Sequence, residues 1–207
     1  MKLLDLFCCC GGISKGFHNK GWDCTGVDIT GDHQYPYNLI PYDVMKLDSE
    51  SNVKWMQNFD LIHASPPCQF YTWGTRKDRK TKFVDLVDKT RQLLLKTGKP
   101  FIIENVVGAP LRKDLVLCGE MFKLRVLRHR IFEINGFTVL QPKHEKHKEP
   151  IDKTHSYYAC VSGHGGDSYS FKLEDWQRDI GIDWVDKKEH LTQMIPPKYA
   201  EYIAQFV

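Results

Sequence analysis

Two prolines constrain this chain more tightly than any other residues in it. Pro66 and Pro67 directly follow the apolar run Leu61-Ile62-His63-Ala64, so a strand that begins near Phe59 must end there. Proline removes a backbone donor and fixes φ, and it pushes the residue before it into extended geometry. The next side chain, Cys68, is therefore presented on a stiff turn. A cysteine at the carboxyl end of a buried strand sits where open α/β sheets place their chemistry, and its thiolate is a strong nucleophile. Most free cysteines act instead as small buried hydrophobes, so the rest of the chain has to decide between the two readings.

The flanking pattern repeats. Lys2–Phe7, Trp22–Ile29, Phe59–Ser65, Phe101–Val107 and Arg130–Ile134 read as short buried strands. Helical spacing falls between them at 13–20 and 82–97, the latter closed by Gly98 and Pro100. Strands alternating with helices predict an α/β fold with a Rossmann-like, doubly wound, mostly parallel sheet. The pattern weakens after Asn135, apart from a short helix at 174–180, and returns as an amphipathic helix over 196–207. This divides the chain into a core, 1–134, an insertion, 135–190, and a closing helix, 191–207.

The 207 residues suit one domain with a full core, and the 42% hydrophobic and 27% charged content is that of a soluble globular protein. No apolar stretch is long enough to span a bilayer, and the first residues lack a signal-peptide pattern. The seven cysteines, three of them consecutive at Cys8-Cys9-Cys10, do not form a disulfide framework, which points to a reducing cytoplasm. The net charge of +3 neither demands nor opposes a nucleic-acid partner.

Asp5-Leu6-Phe7 followed by Gly11-Gly12 is a strand, a tight turn and a helix start, where small residues let a ligand approach backbone N–H groups. Asp28 ends the second strand, where an acid accepts hydrogen bonds from ribose hydroxyls. Asp43 follows the Tyr35–Tyr42 loop at the expected height of an adenine edge. These positions describe a nucleoside-binding crevice. Adjacent cysteines point in different directions and cannot close a tetrahedral metal site. His144, His147, His155 and His164 have no accompanying Cys-x-x-Cys and read as a solvated loop, with 143–148 a charged surface run. Cys24, Cys118 and Cys160 read as core thiols, and no metal is expected.

In this order, the segments resemble the motifs of the cytosine-C5 DNA methyltransferases, compact phage or prophage members above all. Asp5–Phe17 is similar to the donor loop, Gly26–Asp28 to the ribose acid and Ser65–Gln69 to the nucleophile turn. Ile103–Val106 and Arg128–Phe132 are similar to the active-site set, and Gln193–Pro197 to the last motif. The resemblance implies S-adenosylmethionine as cofactor, held by Asp5, Phe7, Cys9, Gly11, Gly12, Asp28, Ile29, Asp43, Pro66 and Gln193. It implies catalysis by Cys68, Glu104, Arg128 and Arg130 on a cytosine flipped out of double-stranded DNA. The basic stretch Arg76–Lys80, with Trp73, would close over that base. A monomer in a bacterial or phage-infected cell is expected, protecting phage or mobile DNA from restriction. Two alternatives stand beside this: the branch of the family that methylates tRNA, and a DNA-binding relative without activity. Cys9 stands where the family has a glycine, Val126 where it has a glutamine and Gln193 where it has an asparagine. The insertion is short for a target-recognition domain.

Overall fold

The structure, a computed structural model, describes residues 1–31, 34–72, 83–145, 147 and 172–207. The Trp73 and Arg76–Lys80 loop, Cys160, His155, His164 and the Tyr157–Ser170 segment lie outside these residues. The strands are β1 (Lys2–Leu6), β2 (Asp23–Asp28), β3 (Asn38–Pro41), β4 (Leu61–Ala64), β5 (Phe101–Asn105), β6 (Leu115–Leu117) and β7 (Arg130–Asn135). They form one sheet in the order β3-β2-β1-β4-β5-β7-β6. Pairing is parallel from β3 through β5, while β7 runs antiparallel to both β5 and β6. The doubly wound, mostly parallel sheet is therefore as expected, with an antiparallel edge.

Both faces of the sheet are buried, which is why its central strands read as continuous apolar runs rather than alternating ones. Leu4, Leu6, Ile62, Ala64, Phe101 and Ile103 project to one face. There they meet α2 (Glu50–Met56) and α3 (Val87–Thr97) through Met56, Val87, Leu93 and Leu94. Leu3, Leu61, Ile102, Phe132 and Ile134 project to the other face, against α1 (Gly12–His18) and α6 (Pro197–Ile203). The strand period of two then places Asp5, His63, Glu104 and Arg130 on that second face. Arg91 of α3 clamps the buried Glu133 of β7 through Nε at 2.8 Å and Nη2 at 2.9 Å, tying the first helical layer to the antiparallel edge.

Several elements escape the sequence pattern, among them β3, α2 and β6. Asn38–Pro41 falls inside the expected Tyr35–Tyr42 loop, and α2 carries one fully buried side chain, Met56, so it shows no apolar stripe. Ser49 starts α2 by accepting from Asn52 N at 3.3 Å. The weakly patterned stretch before the tail contains α4 (Leu173–Ile180) and α5 (Lys188–Leu191). Trp176, Ile180, Ile182, Val185 and Leu191 pack there against Cys10 and Val126.

Helices α1 and α6 touch backbone to backbone because α1 is glycine-rich. A Cβ on Gly16 would lie 2.2 Å from Pro197 O and 2.5 Å from Ala200 Cβ. Glycine-to-alanine changes inside helices usually stabilise by about 1 kcal/mol. Here Gly16→Ala is expected to destabilise by about 3 kcal/mol, through overpacking against backbone that cannot yield. A melting temperature lower by roughly 6–12 °C is the expected readout, and an unchanged or higher one would refute the close approach.

Candidate active site

The crevice opens outside the carboxyl ends of the parallel strands, at the switch point where β1 lies between β2 and β4. Phe7 leaves β1 with φ 57° and Cys9 follows with φ 47°. Cys9 thus adopts the left-handed backbone that suits glycine best, at a cost on the order of 1 kcal/mol. Its N–H donates to Asp28 Oδ2 at 3.0 Å, joining the loop to the end of β2. Trp184 Nε1 donates to Cys10 O at 3.0 Å from the far side. Gly12 lies under the tail, where a Cβ would stand 2.1 Å from Ile195 O. Burial pushes the Cys8 thiol up, with Asp5 and Asp28 adding to the effect, so that thiol stays neutral.

Ile29, Asp43 and Pro66 follow β2, β3 and β4 at the same edge. Ile29 is 71% exposed, and Asp43 is half-buried, with Oδ1 accepting from Met45 N at 2.9 Å. Pro66 is buried and Gln193 exposed. Asp5 is different. Its carboxylate turns inward at 1% exposure, with Oδ2 accepting from Ser14 Oγ at 2.6 Å and Oδ1 2.8 Å from His63 Nδ1. Ser14 Oγ in turn meets Tyr35 OH at 2.7 Å, and His63 Nε2 meets Ser65 Oγ at 3.4 Å. A chain of polar groups therefore runs beneath the crevice from Tyr35 to the nucleophile turn. Sequence reasoning missed it, although a histidine inside an apolar strand was the available signal.

The turn carrying Cys68 is held by backbone and by two side chains. Cys68 O accepts from Tyr71 N at 2.9 Å, Thr72 N at 3.0 Å and Thr72 Oγ1 at 2.9 Å. Asn105, at the end of β5, donates from Nδ2 to Pro66 O at 2.9 Å. Cys68 itself is half-buried and free.

Glu104 of β5 is 4% exposed, and its Oε1 meets Arg130 Nε at 2.9 Å as an ion pair. The two are not aligned as a hydrogen bond, which leaves that buried oxygen able to accept one. Burial raises the Glu104 carboxyl above the usual carboxylate range, against the pull of Arg130, His63 and Arg128. Arg128 is buried as well. Burial and the neighbouring Arg130 push it down to about 9, while Glu104, Tyr199 and Cys68 draw it back up. At neutral pH it keeps its charge. The tail fixes its position: Arg128 Nη2 donates to Thr192 O at 2.5 Å, and Tyr199 OH donates to Arg128 O at 2.6 Å.

Cys68, Glu104, Arg128 and Arg130 thus gather at one end of β4, β5 and β7, beside the crevice formed by Phe7, Cys9, Asp28 and Asp43. A half-buried thiol next to a buried acid and two guanidinium groups suits addition of sulfur to an electron-poor ring whose charge the cluster would absorb. The molecule is, in class, a doubly wound α/β protein with a crevice at its switch point beside a candidate nucleophile.

Solved structures share that architecture. The chain superposes on a DNMT2 mutant from Spodoptera frugiperda with a TM-score of 0.67, 14% identity and coverage of 99% of this chain and 98% of the other. The S. pombe Dnmt2 methyltransferase gives 0.66, with 14% identity and coverage of 99% and 97%. At that identity the likeness speaks for fold alone. The family model for C-5 cytosine-specific DNA methylases matches residues 1–115, more than half of the chain, and the chain belongs to that family. Among curated relatives, it is 31% identical over 117 residues to the type II methyltransferase M.DdeI of Desulfomicrobium norvegicum, covering 52% of this chain and 28% of the relative. It is 27% identical over 121 residues to M.HgiGI of Herpetosiphon aurantiacus, covering 55% of this chain and 96% of the relative. The chain thus spans under a third of the length of M.DdeI. No helix among the described residues is long and apolar enough to cross a membrane.

Proposed function

We propose that this chain is a cytosine-C5 methyltransferase that acts on DNA through a covalent adduct at Cys68. The observation that carries this reading is the buried Glu104, its pKa raised and its Oε1 open, set beside Arg128 and Arg130 near the Cys68 turn. Carbon 5 of cytosine is too weak a nucleophile to take a methyl group unaided. Addition of the Cys68 thiolate at C6 turns the ring into an enamine, and C5 then attacks. Glu104 pairs with ring N3 and the exocyclic amine; a carboxyl whose pKa is raised supplies a proton to N3 as charge arrives there. Arg128 and Arg130 keep the surroundings of the sulfur positive. Loss of the C5 proton then expels Cys68 and restores the aromatic ring.

The crevice fits S-adenosylmethionine by its donor set: Asp28 for a ribose diol, Asp43 at the next strand end, and the apolar faces of Phe7 and Ile29 for a purine. That cofactor would supply the electrophilic methyl group. Cys9, Gly11 and Gly12 would hold its polar end, Pro66 and Gln193 would close the pocket, and Asp5 would act from beneath through Ser14 and His63. The target base must leave its stack to reach Cys68. Segment 135–190 serves in this reading as a reduced target-recognition region, its packed half resting on Cys10 and Val126. Membership in a small phage-type branch, acting in restriction–modification, goes with the same reading.

The test is a covalent trap. The protein is incubated with S-adenosylmethionine and a mixed-sequence duplex carrying 5-fluorocytosine, whose fluorine blocks the final elimination. A donor-dependent adduct that survives denaturation supports the proposal. An adduct on fluorinated RNA and none on DNA would move the substrate to RNA, and none on either would overturn the catalytic reading.

A further inference from the structure

The sequence scatters one cysteine and three histidines over three segments, and the fold brings them together. Cys118 follows β6 and is fully buried. His129 stands between the two active-site arginines, at the approach to β7. His144 and His147 lie on the chain that leaves β7, within the run that reads in sequence as a charged surface. Their ligand atoms, one sulfur and three imidazole nitrogens, all lie within 4.8 Å of one another.

The geometry points to a zinc site formed by Cys118, His129, His144 and His147. Around tetrahedral zinc, with metal–sulfur near 2.3 Å and metal–nitrogen near 2.0–2.1 Å, neighbouring ligand atoms stand roughly 3.3–3.7 Å apart. The separations from His147 Nε2 are 3.9 Å to Cys118 Sγ and 3.3 Å to His129 Nε2. The three imidazoles converge without stacking. Their centroids are 4.8–5.3 Å apart and their planes meet at 70–79°, so each presents an edge to a shared point.

A second observation comes from behind the cluster. His147 Nδ1 is 2.5 Å from Glu120 Oε2. A carboxylate on Nδ1 fixes the tautomer in which Nε2 carries a lone pair, the arrangement that supports metal-bound histidines. That lone pair then faces the sulfur and a second imidazole nitrogen at once, and a single cation satisfies all of them. The scaffold is also braced. Gln141 exchanges two 2.8 Å hydrogen bonds with the backbone of Val116 on β6, and Tyr202 OH donates to Leu140 O at 2.8 Å. One soft thiolate with three imidazoles in tetrahedral reach suits zinc rather than magnesium or calcium. Having four protein ligands, the site is closed and structural. It would staple the chain leaving β7 to the turn after β6 and to the segment that bears Arg128 and Arg130.

The full chain, purified without an affinity tag of histidines, is measured for metal by mass spectrometry and reloaded with cobalt(II) as a spectroscopic probe. One tightly held zinc per chain is expected. The cobalt form should show the intense visible bands of tetrahedral coordination together with a thiolate charge-transfer band. Cys118→Ser should abolish the charge-transfer band. His144→Ala changes an exposed side chain and so guards against a mere folding failure; it should lose the zinc while keeping the fold. Glu120→Gln should weaken zinc binding about 10–100-fold. Chelation should lower the melting temperature of the wild type and leave that of His144→Ala unchanged. A folded wild-type chain that holds no stoichiometric zinc, or a cobalt spectrum that Cys118→Ser leaves unaltered, overturns the site.

Discussion

Cys68→Ser is expected to abolish the 5-fluorocytosine adduct and to lower single-turnover methyl transfer by roughly four orders of magnitude or more, as removing a covalent nucleophile does. Serine keeps the shape of the side chain and loses the low-energy route to an anionic nucleophile. The fold should not register the change, because nothing that shapes the turn uses the sulfur. Its geometry comes from Pro66 and Pro67, from the three donors to Cys68 O, and from Asn105 Nδ2 on Pro66 O. Stability within about 1 kcal/mol of the wild type is expected, as for a substitution outside the core. Thermal denaturation beside the rapid-quench assay checks both halves. A serine variant that still forms the adduct would remove Cys68 from the reaction.

Glu104→Gln is expected to lower kcat by about 10²–10⁴-fold, the contribution of a positioned general acid. DNA affinity should change by much less. Glutamine can still pair with ring N3 and the exocyclic amine, but it has no proton to give. The stability effect carries the opposite sign. The folded-state pKa of Glu104 lies above its unfolded value, which is about 4.3. The neutral carboxyl is thus the form the fold prefers, and its stability is fully present below the unfolded pKa. Stability is lost as pH rises through the folded pKa. Above that folded pKa the wild-type carboxylate is a burden that glutamine does not carry. Glu104→Gln should melt at or above the wild-type temperature near pH 7.5, and the difference should shrink as pH falls toward 4. A variant that melts well below wild type at neutral pH would mean that the charge of Glu104 holds the two arginines in place instead.

The parts of this molecule legible in sequence are those that one strand or one turn defines alone. β1, β4 and β5 announce themselves because burial on both faces makes them predominantly apolar, and a glycine and a proline mark the end of α3. Cys68, Glu104, Asp28 and Asp43 were readable because each sits at or just beyond a strand end, where topology delivers side chains to the crevice. β6 has three residues and α2 one fully buried side chain, too little for a periodicity to form. His63 hid inside an apolar run, and Asp5 was read as a crevice residue because nothing local reveals that Ser14 and His63 consume its carboxylate. The anchors of Arg128 are a backbone carbonyl and a tyrosine hydroxyl from the far end of the chain, which no local pattern encodes. The Cys118 cluster was illegible for the same reason: its ligands share a place but not a segment.

The anchoring of Arg128 by Thr192 and Tyr199 also bears on the order in which the molecule becomes competent. A ribosome delivers β1, the Cys68 turn and Glu104 long before it delivers residue 192, and nascent chains organise from the amino end forward. During that interval Cys68 exists while Arg128 beside it has no fixed position, and Gly12 and Gly16 have no tail to rest against. Under the proposed function, the site is thereby incomplete until residues 192–199 have been made. A polypeptide interrupted before Thr192 would carry Cys68 beside an unanchored Arg128.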